Sequence, residues 1–376
     1  MMTWDVVIVG AGIAGASLAA FLPQDMKVLM LERESQPGYH ATGRSAAVFS
    51  ETYGPPLVRA LSRASRPFLS APPEGFCEHP LLSPRGVLLI AETGQEALLA
   101  KELALLGSTA PQVQRLDPAA TVALLPVLRE ARVAGALFDP DVCDIDVHAL
   151  HQALLRRARA GGLVLRCDAA LHGIQRTEAG WRLSVGDTEL ETRLLVNAAG
   201  AWADELAGLA GLAPLGLEPR RRSAFTLAAP PQADIAGWPM AVGLDETWYL
   251  KPDAGQLLAS PANADPTHPQ DVQPEELDIA LGLHRLQEMT TLEARRPRHT
   301  WAGLRSFLPD GAPAAGFDRQ DPNFFWLAGQ GGYGIQTAPA LGMAAAALLC
   351  GQAFPEAVLQ QGITAGALSP GRFDKD

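Results

Sequence analysis

The chain has 376 residues, 48% hydrophobic and 19% charged, enough apolar material for a large core and about two domains. Thirty Lys and Arg stand against 41 Asp and Glu, a net charge of −11. That balance argues against a protein that binds nucleic acid by neutralising phosphates, although one basic run, PRRRSAF, occurs at 219–225. In chain order, WDVVIV (4–9) reads as a short buried strand, 13–22 as a helix and KVLMLER (27–33) as a second buried strand. Such a βαβ unit implies parallel strands joined by a right-handed crossover.

Beyond residue 48 the pattern becomes mixed. GVLLIAE (86–92) reads as a strand and EALLAKELALLG (96–107) as an amphipathic helix. Residues 144–160 read as an Asp-capped helix that ends at a glycine pair. The stretch 163–200 alternates like strands, with TEAG as a turn, and closes on the buried strand LLVNAAG. Residues 213–299 are mixed again, with a helix at 275–292, and the tail runs strand, Gly-rich loop and Ala-rich helix. This order predicts an α/β fold in two domains. A Rossmann-like nucleotide domain with a parallel sheet is assembled from 1–48, 143–212 and 300–376. An α+β substrate domain with a mixed or antiparallel sheet fills 49–142 and 213–299. The last fifteen or so residues read as a loose end.

Several chemistries find no support. Cys77, Cys143, Cys167 and Cys350 are widely spaced with no C-x-x-C pair, so neither a zinc site nor a disulfide framework is expected. Reduced buried thiols in a cytoplasmic protein are the simpler reading, with peripheral attachment to an inner membrane left open. The apolar N-terminus lacks the basic region of a signal peptide, and no run suits a transmembrane helix. His148 and His151 read as surface or packing residues, no histidine cluster has metal spacing, and no G-x-S-x-G elbow is present.

Gly10-x-Gly12-x-x-Gly15 follows the first strand and opens the first helix, with Ile13 and Ala14 between the last two glycines. Gly10 permits the tight turn, Gly12 lets a pyrophosphate approach the backbone, and Gly15 allows close packing. The helix N-terminus favours phosphate. Glu32, at the end of the second strand, suits the ribose hydroxyls of a dinucleotide, which on these residues is NAD or FAD. A second match, Gly329-x-Gly331-x-x-Gly334, has too little chain after it for another βαβ unit. It reads as a Gly-rich loop whose backbone approaches the cofactor, followed by a helix whose N-terminus faces an electron-rich edge of it.

VVIVGAGIAGAS, HATGRSAA, VNAAGAWAD and GQGGYGIQTAPA, in that order, resemble the D-amino acid oxidase/glycine oxidase superfamily of FAD-dependent oxidoreductases over essentially the whole chain. Within it, GYHATGRSAA, GFCEHPLLSPR, RRSAF, YLKPDAG, SPANADP and RRPRHTWAGLRSF are similar to the bacterial D-arginine dehydrogenases. The resemblance implies noncovalent FAD and oxidation of a D-amino acid. Hydride passes from the substrate Cα to flavin N5, and the imino acid is hydrolysed to a 2-oxo acid and ammonia. It places Gly10, Gly12, Ile13, Ala14, Gly15, Glu32, Arg33, His40, Thr42, Gly43, Arg44, Ser45, Ala46, Ala47, Leu171, Ala199, Gly200, Trp202, Gly303, Gly331, Gly332, Tyr333, Gly334, Ile335 and Gln336 along the FAD. Gly329–Gln336 contains no cysteine for covalent attachment.

The resemblance also gives the substrate site: Arg222 and Arg305 for the carboxylate, Tyr53 and Tyr249 over the substrate, and the Gly332 carbonyl for the amine. Arg220 and Arg221 are read as surface charges. Val48 and Val87 depart from the pattern, which has a histidine and a glutamate there. Valine cannot pair a guanidinium, so neutral or apolar side chains are expected to be preferred over cationic ones. A quinone or another electron acceptor is expected, with oxygen left open. The other readings are a related amine oxidase or 2-hydroxy acid dehydrogenase, and a non-catalytic FAD-binding protein.

Overall fold

The computed structural model describes residues 3–373. Its first sheet has eight strands. Five are parallel, in the spatial order Val164–Arg166, Val28–Leu31, Thr3–Val9, Thr188–Asn197 and Phe324–Ala328. Both faces of this core are covered, which is why its strands read as apolar runs rather than alternations. Val6, Ile8, Val28 and Met30 face one side with the helices Ile13–Phe21, Val147–Ala160 and Gly334–Leu349. Trp4, Val7, Leu29 and Leu31 face the other, beneath the antiparallel strands Leu171–Arg176 and Trp181–Val185. The expected turn between those two strands closes with a bond from Thr177 N to Gly180 O, 2.9 Å.

The second sheet has nine strands and is antiparallel except where Met240–Gly243 pairs in parallel with Val87–Glu92. A small sheet of Val48–Phe49, Leu82–Pro84 and Cys143–Ile145 lies between the large ones in sequence.

Two segment boundaries differ from the sequence expectation. His299–Phe307 pairs along its length with Glu218–Ala228 in the second sheet, so the return to the first sheet comes after 307 and not at 300. The helix Pro56–Ser70, expected in the substrate unit, buries Ala60, Leu61, Ala64 and Leu69 in the core of the first sheet. Its apolar stripe fits the helix Gly334–Leu349, and packing of that stripe overrides its position in the chain.

The carboxyl end is also better held than its composition suggests. Ala365–Leu368 is helical, Leu368 is fully buried, and Arg372 pairs with Asp310 at 2.8 Å. Residues 374–376 of the expected loose end lie outside the described residues. The four cysteines are free and partly rather than fully buried.

The expected Asp cap of the helix Val147–Ala160 is present: the Asp146 carboxylate accepts from Ala149 N at 2.8 Å, satisfying one orphan donor of the first turn. The same helix carries His151, 3% exposed, with Nε2 2.9 Å from Ala11 O in the glycine loop. Burial holds His151 below its ordinary value, against the opposing bond to Ala11, while nearby His148 adds to the lowering. The folded chain therefore keeps this ring neutral where the unfolded chain would accept a proton. Its contribution to stability is present above pH about 6.5 and is lost as pH falls toward the lowered folded value. On lowering the pH from about 7.5 to about 5.5, Tm should fall less in His151→Gln than in the unsubstituted protein. Equal losses in the two proteins would show that His151 does not carry the effect.

Candidate active site

The turn after the first strand sets the geometry. Gly10 has φ +105°, and its amide donates to Leu31 O at 2.8 Å. Glu32, 9% exposed, accepts from Ala11 N at 2.9 Å and from Glu34 N at 3.1 Å, which fixes its carboxylate beside the loop. The following helix starts at Gly12 with no side-chain cap, and its first turn has no acidic residue. Its positive end, apart from the Ile13 amide, is therefore open to an anion. Thr42 Oγ1 accepts from Ile13 N at 3.0 Å and ties the 41–47 loop to this end. Arg33 lies 3.8 Å over the Trp202 ring, and His40 stacks on the same ring at 4.7 Å.

The 41–47 loop is also clamped to the second sheet. Arg44 donates to Val272 O and Ala302 O, both at 3.0 Å, and pairs with Asp271. Trp301 Nε1 donates back to Arg44 O at 3.1 Å. One cavity of about 840 Å³ runs from the glycine turn past this loop to the second sheet. Its lining contains every expected cofactor residue except three.

Those three have other places. A Cβ on Gly15 would lie 2.0 Å from Gly10 O, so this glycine is needed for packing inside the turn. Gly43 N donates to Gly38 O at 2.7 Å and closes a loop turn. The Tyr333 ring packs on Tyr53 at 5.0 Å, and Phe307 lies 6.2 Å away. Burial, and Tyr53 after it, push the Tyr333 hydroxyl up to about 12.

At the other end of the cavity two cations converge. Arg222 stands opposite Gly303, and Arg305 opposite Arg220, on paired antiparallel strands. The side chains of Arg222 and Arg305 are thus diagonal neighbours on one face. Arg222 Nε donates to Asn263 O at 2.6 Å, and Arg305 Nη2 donates to Tyr53 Oη at 2.9 Å. Among the described residues neither has a carboxylate within ion-pair reach. Desolvation, and the neighbouring Arg305 charge after it, hold Arg222 below its ordinary value. Burial opposes the charge of Arg305 too, but Tyr53, Tyr333 and Tyr249 outweigh it and hold that group above its usual value. Arg305 rests in the space that a side chain on Gly332 would fill, its Nη2 1.5 Å from the ideal Cβ position. Two cations enclosed together with no carboxylate in direct contact are costly, and an anionic ligand relieves that cost.

Arg220, opposite Arg305 on the same face, and Arg221, on the other face, are each held by carboxylates of their own. Arg220 pairs with Glu218, and Arg221 with Glu275, Asp278 and Asp265. Val48 and Val87 pack in one apolar cluster with Val142, Met240, Tyr249 and Leu258. Asp139, Thr52 and Glu246 also line the cavity, and none of them was singled out from the sequence. Asp139 ends an apolar run just before Pro140, where it reads as a turn residue; only strand pairing brings it to the wall. No group of three or more potential ligands for a metal occurs among the described residues.

The profile of the FAD dependent oxidoreductase family matches residues 5–348. The chain belongs to that family. FAD dependent oxidoreductases at comparable distance include the bovine FAD-dependent oxidoreductase domain-containing protein 1, 24% identical over 92% of this chain and 81% of its own length. Glycine oxidase of Geobacillus kaustophilus is 24% identical over 92% of this chain and 93% of that protein. Its crystal structure superposes with a TM-score of 0.82 at 25% identity, over 94% of this chain and 97% of that one. L-proline dehydrogenase from P. horikoshii shares the fold, with a TM-score of 0.80 at 19% identity over 99% and 98% of the two chains.

The cavity suits FAD, the cofactor of the family. Gln330 and Gln336 both line it, and each leaves Nε2 buried without a partner. Such donors are expensive unless a ligand accepts from them. The helix end at Gly12 would take the pyrophosphate, Glu32 the ribose, and the loop Gly331–Gln336 the flavin. The second glycine motif does precede a helix, Gly334–Leu349, and no further strand follows it among the described residues.

Proposed function

We propose that the protein is an FAD-dependent D-amino acid dehydrogenase that prefers neutral or apolar side chains to cationic ones. The pairing of Arg222 and Arg305 with no carboxylate partner among the described residues carries this reading. A substrate carboxylate is the anion that such a pair accepts in a bidentate manner. Tyr53, held by Arg305, and Tyr249 cover the substrate and exclude water. The Gly332 carbonyl accepts an N–H from the amine and so fixes the direction of Cα. The bound flavin supplies the two-electron acceptor. The residues around it act by orientation, since the amine can lose its proton to solvent before Cα is oxidised.

The D configuration and the closeness to D-arginine dehydrogenases rest on the similar segments around Arg44, Arg222, Tyr249 and Arg305. The glycine oxidase relative acts on an amino acid, in keeping with amine oxidation. The apolar cluster of Val48 and Val87 supports the preference for uncharged side chains.

Anaerobic mixing of the holoenzyme with paired D- and L-amino acids tests the reading. D-Leu or D-Met should bleach the flavin, and their kcat/KM should exceed that of D-Arg by about tenfold or more, as expected where a cation enters a cavity that already encloses the guanidiniums of Arg222 and Arg305. Faster bleaching by the L enantiomers, or a lead for D-Arg, would overturn it. Dye reduction that outruns peroxide release would mark a dehydrogenase rather than an oxidase.

A further inference from the structure

Asp139 is a carboxylate in the wall of the substrate cavity whose binding capacity is not filled. It is 5% exposed. It accepts from Asp141 N at 3.1 Å, from Thr52 Oγ1 at 3.3 Å and from Gln112 Nε2 at 3.4 Å. All three donors are neutral, two of the bonds are long, and among the described residues no Lys or Arg pairs with it. Burial raises its carboxyl above the ordinary range, despite the opposing bonds from Asp141, Gln112 and Thr52. A carboxylate kept this dry has a use for one more good donor.

Its place is set by register. Asp139 stands directly opposite Val87 on the antiparallel strand Val133–Asp139, and Leu137 stands opposite Leu89. All four line the cavity, so they share one face of the sheet. Thr52, which holds Asp139, adjoins Tyr53, which holds Arg305. The acid and the arginine pair thus line one cavity and are linked through the consecutive residues Thr52 and Tyr53. The apolar wall at Val87 therefore has a polar end one strand away.

We infer that Asp139 reads the end of the substrate side chain, so that among uncharged amino acids the site selects those ending in an N–H or O–H donor. A neutral donor fits better than a cation for two reasons. The cavity already holds two guanidiniums without carboxylate partners, and its wall around Asp139 is the hydrocarbon of Val87, Leu89, Leu137, Val142 and Met240. This inference rests on the amino acid reading above, but its test does not require turnover.

Binding of three unreactive acids to the holoenzyme, followed by flavin absorbance, decides it: glutaramate, its methyl-ketone isostere and δ-aminovalerate. Glutaramate and the ketone differ only in an amide nitrogen against a methyl. The unsubstituted protein should bind glutaramate about tenfold or more tightly than the ketone, the size of one hydrogen bond to a charged group. That ratio should approach one in Asp139→Leu and lie between in Asp139→Asn, which retains an acceptor and serves alone if the leucine variant loses its flavin. An unchanged ratio in the variants would overturn the inference while leaving the arginine pair intact. Tightest binding of δ-aminovalerate, lost on substitution, would show that Asp139 reads charge and would overturn it too. If none of the acids perturbs the flavin, the arginine pair is not a carboxylate site, and the functional reading fails with the inference.

Discussion

Arg222→Met lowers kcat/KM by about 100-fold or more while Tm in the absence of substrate stays level or rises. The loss follows from removing half of the proposed carboxylate clamp, which for a desolvated charge pair costs several kcal/mol. The stability effect has the opposite sign because the free protein holds Arg222 and Arg305 side by side with no carboxylate partner. Removing one relieves the repulsion that, after desolvation, holds Arg222 below its ordinary value. A non-reactive carboxylic acid should raise Tm in the unsubstituted protein and do so far less in Arg222→Met, by linkage of binding to folding. Kinetics and thermal melts in parallel decide the matter. Activity and Tm falling together would mean that Arg222 is a structural cation rather than a substrate clamp.

Gly10→Ala should yield a chain that retains little flavin and melts at lower temperature. Two effects combine there. Position 10 has φ +105°, which costs a residue with a side chain about 1–3 kcal/mol. A Cβ would also lie 2.3 Å from Ala198 O, a backbone atom held by the bond from Ala198 N to Val9 O, 3.0 Å. The turn can relieve that contact only by opening, which moves the helix end at Gly12 away from the pyrophosphate. Gly211→Ala separates the two effects, because Gly211 has φ +74° with nothing within 4 Å of its Cβ position. The flavin-to-protein absorbance ratio should be near normal in Gly211→Ala and strongly reduced in Gly10→Ala. Equal ratios would remove the steric argument.

The features that were legible in the sequence are those whose causes lie close together in the chain. The apolar run 4–9, the glycine turn and the acid at the end of the next strand announced a nucleotide unit, and the strand, helix and carboxylate stand as expected. The Asp146 cap and the Gly161 end of the helix Val147–Ala160 were equally local. The expected Arg222 and Arg305 came from similarity of short segments, and strand pairing accounts for their meeting: each lies two residues from the partner of the other.

What the sequence alone determined is therefore the class of fold, the cofactor turn and the residue types available for a carboxylate. The tertiary structure decided which of them share a wall. The helix Pro56–Ser70 crossed to the first core, the strand His299–Phe307 stayed in the second sheet, and Asp139 came opposite Val87. The physical reason is register. A slip of one residue moves every side chain of a strand to the other face, and register is fixed by the sum of many contacts from distant segments. Periodicity shows that a strand exists, but its neighbours select the face on which Asp139 is presented.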